Sequence, residues 1–188
     1  MRNFADDLTQ AKTDEQHALN LIQKLEGTQW FASTTQEDKQ GIDAHCVDKD
    51  GKRFTVDVKT YAFDWEQIRN KKWWAKKQQV VIEVTGGHSS ATFQGEEGAD
   101  KILYHYRCMN PYVVGLEETK RLMRMGFVTH IWMDRAFCSW LVNNWQKYWE
   151  GYRIRFKENT QSNGSMLLLG VEDLKSLQWL YRELHNNV

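Results

Sequence analysis

Proline is almost missing from this chain, one in 188 residues, and no long Ser/Gly-rich stretch interrupts it. Both are the usual marks of a linker, so a single domain spanning 1–188 is expected, within the normal size range. Cysteine is scarce too. Cys46, Cys108 and Cys138 are scattered, without the paired spacing a zinc site needs, and reduced thiols in a cytoplasm fit them best. No apolar run approaches the ~20 residues that cross a bilayer. The start Met1-Arg2-Asn3-Phe4-Ala5-Asp6-Asp7 lacks the pattern of a signal peptide, so no membrane partner is expected. Charge of one sign is absent: 25 Lys and Arg balance 25 Asp and Glu. That counts against a strongly basic, nonspecific nucleic-acid binder, while leaving room for a local basic patch offset by acids elsewhere. Gly86-Gly87-His88-Ser89-Ser90 lacks the Lys-Ser/Thr of a P-loop. Neither a Gly-x-Ser-x-Gly nor a paired-His metal motif is present, and no internal repeat is visible.

What the chain does have is a hairpin with an unusual polar face. In Gly41–Asp48, Ile42, Ala44 and Cys46 alternate with polar residues. In Lys52–Thr60, Phe54, Val56 and Val58 do the same. A period of two marks half-buried strands. Lys49-Asp50-Gly51 serves as a three-residue loop with glycine in the left-handed position. Closing the hairpin on Asp48 and Lys52 sets Asp43 opposite Asp57. A two-residue Asp50-Gly51 loop would put the two acids on different faces and break up the apolar face, so the three-residue loop is preferred. The apolar set faces a core, so Asp43, Asp57 and Lys59 share the opposite face. Directly opposed carboxylates repel. Lys59 supplies one compensating charge, and a divalent cation would supply the rest. A few oxygen ligands completed by water suit Mg²⁺ or Mn²⁺ better than zinc. His45 falls on the same face as Asp43, where a strand histidine is more often incidental.

Thr13-Asp14-Glu15-Gln16 reads as a helix start, with Thr13 as N-cap and Gln16 closing a capping box. Ala18, Leu21, Ile22 and Leu25 form its apolar stripe, and Gly27 ends it. Glu15 lies at the edge of that stripe, in the first helical turn, either as a partner of the helix dipole or, the preferred reading, as part of a buried site with Asp43 and Asp57. A strand follows near Trp30–Thr35. A helix over 64–77 would place Arg69, Lys72 and Lys76 on one stripe with Trp73 beside them, a pattern that suits phosphates flanked by bases as well as it suits an ordinary solvated face. The apolar strand Val80–Val84 comes next. In the second half, helices are expected over 117–125 and 134–149, strands over 152–157 and 165–170 around Asn163-Gly164, and a closing helix over 171–186.

Helix, three strands, helix, strand, with Glu15 in the first helix, Asp43 in the second strand and Asp57-Val58-Lys59 in the third, resembles the PD-(D/E)xK nuclease superfamily. Ile42 stands where the proline of the name would be, and no Gln-x-x-x-Tyr pattern marks the processive exonuclease branch. The stretch Gly95 to Tyr106 looks like the segment just after the core in small phage-encoded members. The resemblance implies an α/β fold with a restriction-endonuclease-like core (αβββαβ, a mixed central sheet flanked by helices) over about 13–106, and an α+β extension over about 107–188. It further implies that Asp43, Asp57 and the carbonyl of Val58 bind Mg²⁺ or Mn²⁺, that Glu15 completes the site, and that Lys59 orients the attacking water. Arg69, Lys72, Trp73 and Lys76 would touch DNA. The activity implied is endonucleolytic hydrolysis of DNA, in a host cytoplasm if the chain is phage-encoded. Two alternatives stand beside it: a catalytically inactive binding module on the same scaffold, such as a counter-defence factor, and a junction-resolving nuclease acting as a homodimer.

Overall fold

The computed structural model describes residues 4–63, 79–85, 98–108, 116–159 and 164–185. In chain order these form α1 (Phe4–Glu26), β1 (Gln29–Ala32), α2 (Thr35–Lys39), β2 (Ala44–Val47), β3 (Arg53–Phe63), β4 (Gln79–Thr85) and β5 (Lys101–Cys108). They continue with α3 (Leu116–Arg124), β6 (His130–Asp134), α4 (Arg135–Tyr148), β7 (Arg155–Asn159), β8 (Gly164–Gly170) and α5 (Val171–His185). The architecture is mixed α/β: a five-stranded sheet ordered β1-β2-β3-β5-β6, helices against it, and a second sheet ordered β4-β8-β7.

The hairpin forms in the expected register. Ala44 pairs with Val56 and Cys46 with Phe54, and the Asp48 amide donates to the Lys52 carbonyl at 3.0 Å. The Asp48 carboxylate accepts from the amides of Asp50 and Lys52 at 3.0 and 2.9 Å. This is a side-chain turn that leaves Gly51 at φ +82°, a left-handed conformation glycine adopts without strain. Beyond the hairpin, β3 runs parallel to β5, and β5 antiparallel to β6.

One face of the large sheet is sealed by α1. Ala18, Leu19 and Ile22 pack on Ala44, Cys46, Phe54, Val56, Val58 and Leu103. Glu26 fastens the far end of that helix, accepting from Trp132 Nε1 at 3.0 Å and pairing with His130 Nε2 at 2.7 Å. The other face carries Ile102, Tyr104, Tyr106, Ile131 and Met133. It is covered by Phe137, Cys138 and Leu141 of α4, by Val80, Ile82, Leu167 and Leu169 of the small sheet, and by Leu174 and Leu177 of α5. The 107–188 region is therefore half of the packing, not an appendage, because its helices close the face that the hairpin leaves open.

Several sequence expectations are corrected here. The first helix begins at Phe4, not at Thr13; the Thr13 hydroxyl donates to the Thr9 carbonyl at 2.9 Å from within the helix, so it caps nothing. Glu15 accordingly lies mid-helix, away from the positive end of the dipole. The strand expected to reach Thr35 stops at Ala32. Thr34 then caps α2: its hydroxyl accepts from the Glu37 amide, and the Glu37 carboxylate accepts from the Thr34 amide at 2.8 Å. The apolar strand 80–84 forms as part of β4, but in the small sheet beside β8. Lys101–Cys108 instead lies next to β3 in the large sheet. β6 was not expected at all. The C-terminal helices and strands form within a few residues of their expected bounds, and Gly126 at φ +85° ends α3. The 64–77 helix, with Arg69, Lys72, Trp73 and Lys76, and the Gly86–Ser90 stretch lie outside the described residues.

Candidate active site

The site arises where β2 stops pairing. Asp48 and Lys52 are a hydrogen-bonded pair, so in an uninterrupted ladder every second pair would be too, and the Val58 amide would meet the carbonyl of residue 42. Residue 42 has left the sheet. Its amide donates to the Glu37 carbonyl at 3.0 Å, at the end of α2. The Asp43 amide reaches the Val56 carbonyl at 2.8 Å, and the Asp43 carboxylate fills the gap, its Oδ2 accepting from the Val58 amide at 2.6 Å. Asp43 is thus not a ladder residue facing Asp57 rung to rung, as the sequence suggested. It is the first residue past the break, and its side chain substitutes for lost backbone.

Asp57 stays in β3 on the face opposite Val56 and Val58, as expected; the second correction is that this face is covered too. Asp57 shares that face with Ile102, its partner on β5, and so points towards the core built by the C-terminal half. Only 2% of it is exposed. One oxygen, Oδ1, pairs with Lys59 Nζ at 2.9 Å. The other, Oδ2, is buried without a hydrogen-bond partner among the described residues. A buried carboxylate oxygen left without a donor is costly.

Charge accumulates around this pair. Burial and the neighbouring Asp57 charge push the Asp43 carboxyl up to about 7, against the pull of the Val58 amide. Glu15 on α1 is also raised, first by burial and then by the charge of Asp38, with a smaller contribution from Asp57. Lys12 and Asp38 pair at 2.7 Å, and the hydrogen bond that Lys12 donates to the Asp38 carboxylate raises the Lys12 pKa. A small cavity of about 80 Å³, lined by Lys12, Glu15, Ser33, Asp38 and Asp43 among others, lies between α1 and the break in β2. Asp38, Asp43, Asp57 and Glu15 are four carboxylates against the two ammonium groups of Lys12 and Lys59. Fully ionised, they leave an excess of two negative charges, the charge of one divalent cation.

The donor set fits such an ion. All candidate ligands are hard oxygens, Asp57 Oδ2 has no partner among the described residues, and the charge left over has the right size. Among the described residues no group of three or more Asp, Glu, His or Cys side chains is placed to hold a metal ion. Two carboxylates with water filling the remaining positions is how Mg²⁺ is commonly held. Of the expected residues, Asp43, Asp57 and Lys59 come together, Glu15 stands close enough to feel their charge, and Val58 takes part through its amide. Lys12 and Asp38 were missed. Their signal was available: Thr34-Thr35-Gln36-Glu37 is a legible capping box that puts Asp38 in a short helix just before Asp43. His45 pairs with Glu37 at 2.9 Å.

Comparison with known proteins finds no match: no protein-family model, no curated protein and no solved structure matches this chain. No described helix is long and apolar enough to cross a membrane.

Proposed function

We propose that this chain is a divalent-metal-dependent DNA nuclease with a restriction-endonuclease-like core of the PD-(D/E)xK kind. The observation that carries the reading is the Asp57 carboxylate. It is buried, tied to Lys59 through one oxygen, without a partner among the described residues at the other, and beside a second acid whose ionisation it opposes. A purely structural Asp–Lys pair would need neither Asp43 nor an unsatisfied oxygen.

Asp57 Oδ2 and the Asp43 carboxylate would hold Mg²⁺ or Mn²⁺, with the Val58 carbonyl as a further oxygen and Glu15 reached through water. Such an ion, when bound, would supply a more acidic water and charge neutralisation at the phosphate. Lys59 does the rest of the electrostatic work. Its ammonium group, fixed by Asp57, is preorganised beside the position where negative charge develops on the pentacoordinate phosphate. The burial that raises Asp43 also strengthens these interactions, since charges act more strongly where water is excluded. Asp43 must lose its proton to ligate, so metal binding is expected to strengthen as pH rises through about 7.

The test is cleavage of circular, linear and branched DNA with and without Mg²⁺ or Mn²⁺, comparing the wild type with Asp57→Asn. The reading expects metal-dependent breaks that the variant does not make. Metal-independent binding with no cleavage of any form would instead establish a non-catalytic module, and junction-only cleavage by a dimer would establish a resolvase.

A further inference from the structure

The face of the large sheet that carries Asp57 continues past the covering helices, and what it displays there bears on the substrate. Across the strands, Phe31 pairs with His45 and His45 with Thr55, so these three form one row on the Asp57 face. Gln29, Val47 and Arg53 form the next row towards the hairpin loop. Both rows line an open concavity of about 700 Å³ closed at one side by Asp100. Asp57 lies one step further along the same face, and the Asp43 carboxylate sits at the break beside it, accepting from the Val58 amide. Lys59 and Tyr61 follow on β3. Tyr61 lies four residues from Asp57, about 13 Å at a strand's rise of ~3.3 Å per residue.

Two large aromatics therefore flank the acids, and both are bare. Phe31 is 56% exposed and Tyr61 46%. The Tyr61 ring is backed edge-on by Tyr106 at 6.1 Å, and Tyr106 is held by its hydroxyl donating to the Gln79 carbonyl at 2.9 Å. Tyr61 is therefore a braced platform, not a loose side chain. Polar groups beside Phe31 are already committed: Asp100 accepts from the Thr55 amide and hydroxyl at 2.8 and 3.0 Å, and His45 is paired with Glu37. The face thus presents an aromatic ring on either side of Asp57, with the Lys59 cation between them and Arg53 one row beyond Phe31.

We propose that this face takes an unpaired DNA strand, its bases stacking on Phe31 and Tyr61 on either side of the phosphate presented to Asp43, Asp57 and Lys59. The inference rests on the nuclease reading for the phosphate position, and on the exposed aromatics alone for the strand. A duplex keeps its base faces stacked inside and gains nothing from an aromatic platform, whereas any unpaired base has a face to offer. The charge balance agrees. A chain with 25 basic and 25 acidic residues has little general attraction for a duplex, whose binding rests on many phosphate contacts.

The experiment is fluorescence anisotropy with a labelled oligothymidylate in EDTA, alongside a blunt duplex and an oligouridylate. The oligothymidylate is expected to bind most tightly. Phe31→Ala and Tyr61→Ala should each weaken it about tenfold, the scale of losing one base–aromatic stack. Phe31→Trp should restore it. With two cations on the track, log K should fall against log salt with a slope of only about −1.4. Both positions are exposed, so the alanine variants should keep the wild-type circular dichroism spectrum. Duplex binding as tight as single-strand binding, or no loss in either alanine variant, would overturn the proposal. Tighter binding of oligouridylate would overturn DNA as the occupant. Single-strand binding that needs both aromatics, without metal-dependent cleavage, would uphold this surface while removing the nuclease reading.

Discussion

Replacing Asp43 with asparagine should make the metal-free protein more stable at pH 8, and the size of the gain follows from the site. Asp43 is raised from 3.8 to about 7 by burial and by the Asp57 charge. A folded-state pKa above the unfolded one means that the native state binds the proton more tightly. The carboxyl therefore costs nothing below about pH 4, and progressively destabilises the fold as pH rises from there to about 7. Roughly three units at 1.36 kcal/mol each sets a ceiling of about 4 kcal/mol. Asparagine cannot ionise, yet its side-chain oxygen can still accept from the Val58 amide, which Asp43 Oδ2 holds at 2.6 Å. Exchanging a charged acceptor for a neutral one gives back about 1 kcal/mol. A net gain of up to about 3 kcal/mol at pH 8 is expected, or up to roughly 6–12 °C in Tm for a chain of this size. At pH 4 the gain should vanish. Thermal melts of both proteins from pH 4 to 8 in EDTA test this, and adding Mg²⁺ at pH 8 should raise the Tm of the wild type only. An Asp43→Asn variant that melts lower than wild type at pH 8 by the same margin as at pH 4 would refute the crowding of charge on which the site rests.

Lys59→Met should retain the strand, since the side chain is 38% exposed and its stem is apolar, but should lower metal-dependent cleavage by at least about a hundredfold, the scale of losing one preorganised charge at a developing anion; single-turnover rates at saturating Mg²⁺ measure it. Thr34→Ala removes the cap of α2 and should cost about 1 kcal/mol, read by urea denaturation. Because α2 holds residue 42 out of the sheet through the Glu37 carbonyl, the same variant should also weaken Mg²⁺ binding, read by calorimetric titration.

The hairpin was legible because its determinants are local. Asp48 and Gly51 fix the loop, and alternation of Ala44, Cys46, Phe54, Val56 and Val58 fixes the core face. What periodicity cannot say is what lies against the opposite face. Asp57 was expected on the hairpin face turned away from the apolar set, and it is buried because helices and strands far along the chain close over that face. A trace of this was present in Ile102-Leu103-Tyr104, a continuous apolar run of the kind strands show when both faces are covered. The same limit explains β4: its apolar run predicts a strand, and only long-range pairing with β8 decides which sheet it joins. The break at Asp43 was illegible for another reason. It depends on Thr34 and Glu37 building α2, whose last turn draws residue 42 away. Thr13 misled because a threonine hydroxyl can be satisfied inside a helix by the carbonyl four residues back, as it is by Thr9.

The most direct measurement is anomalous diffraction from crystals of the protein grown with Mn²⁺. The account predicts a peak within the roughly 2.0–2.6 Å range of oxygen ligation from Asp57 Oδ2 and from an oxygen of Asp43. A Mn²⁺-soaked crystal with no peak there, and with Asp57 Oδ2 accepting a hydrogen bond from a neighbouring side chain, would contradict it.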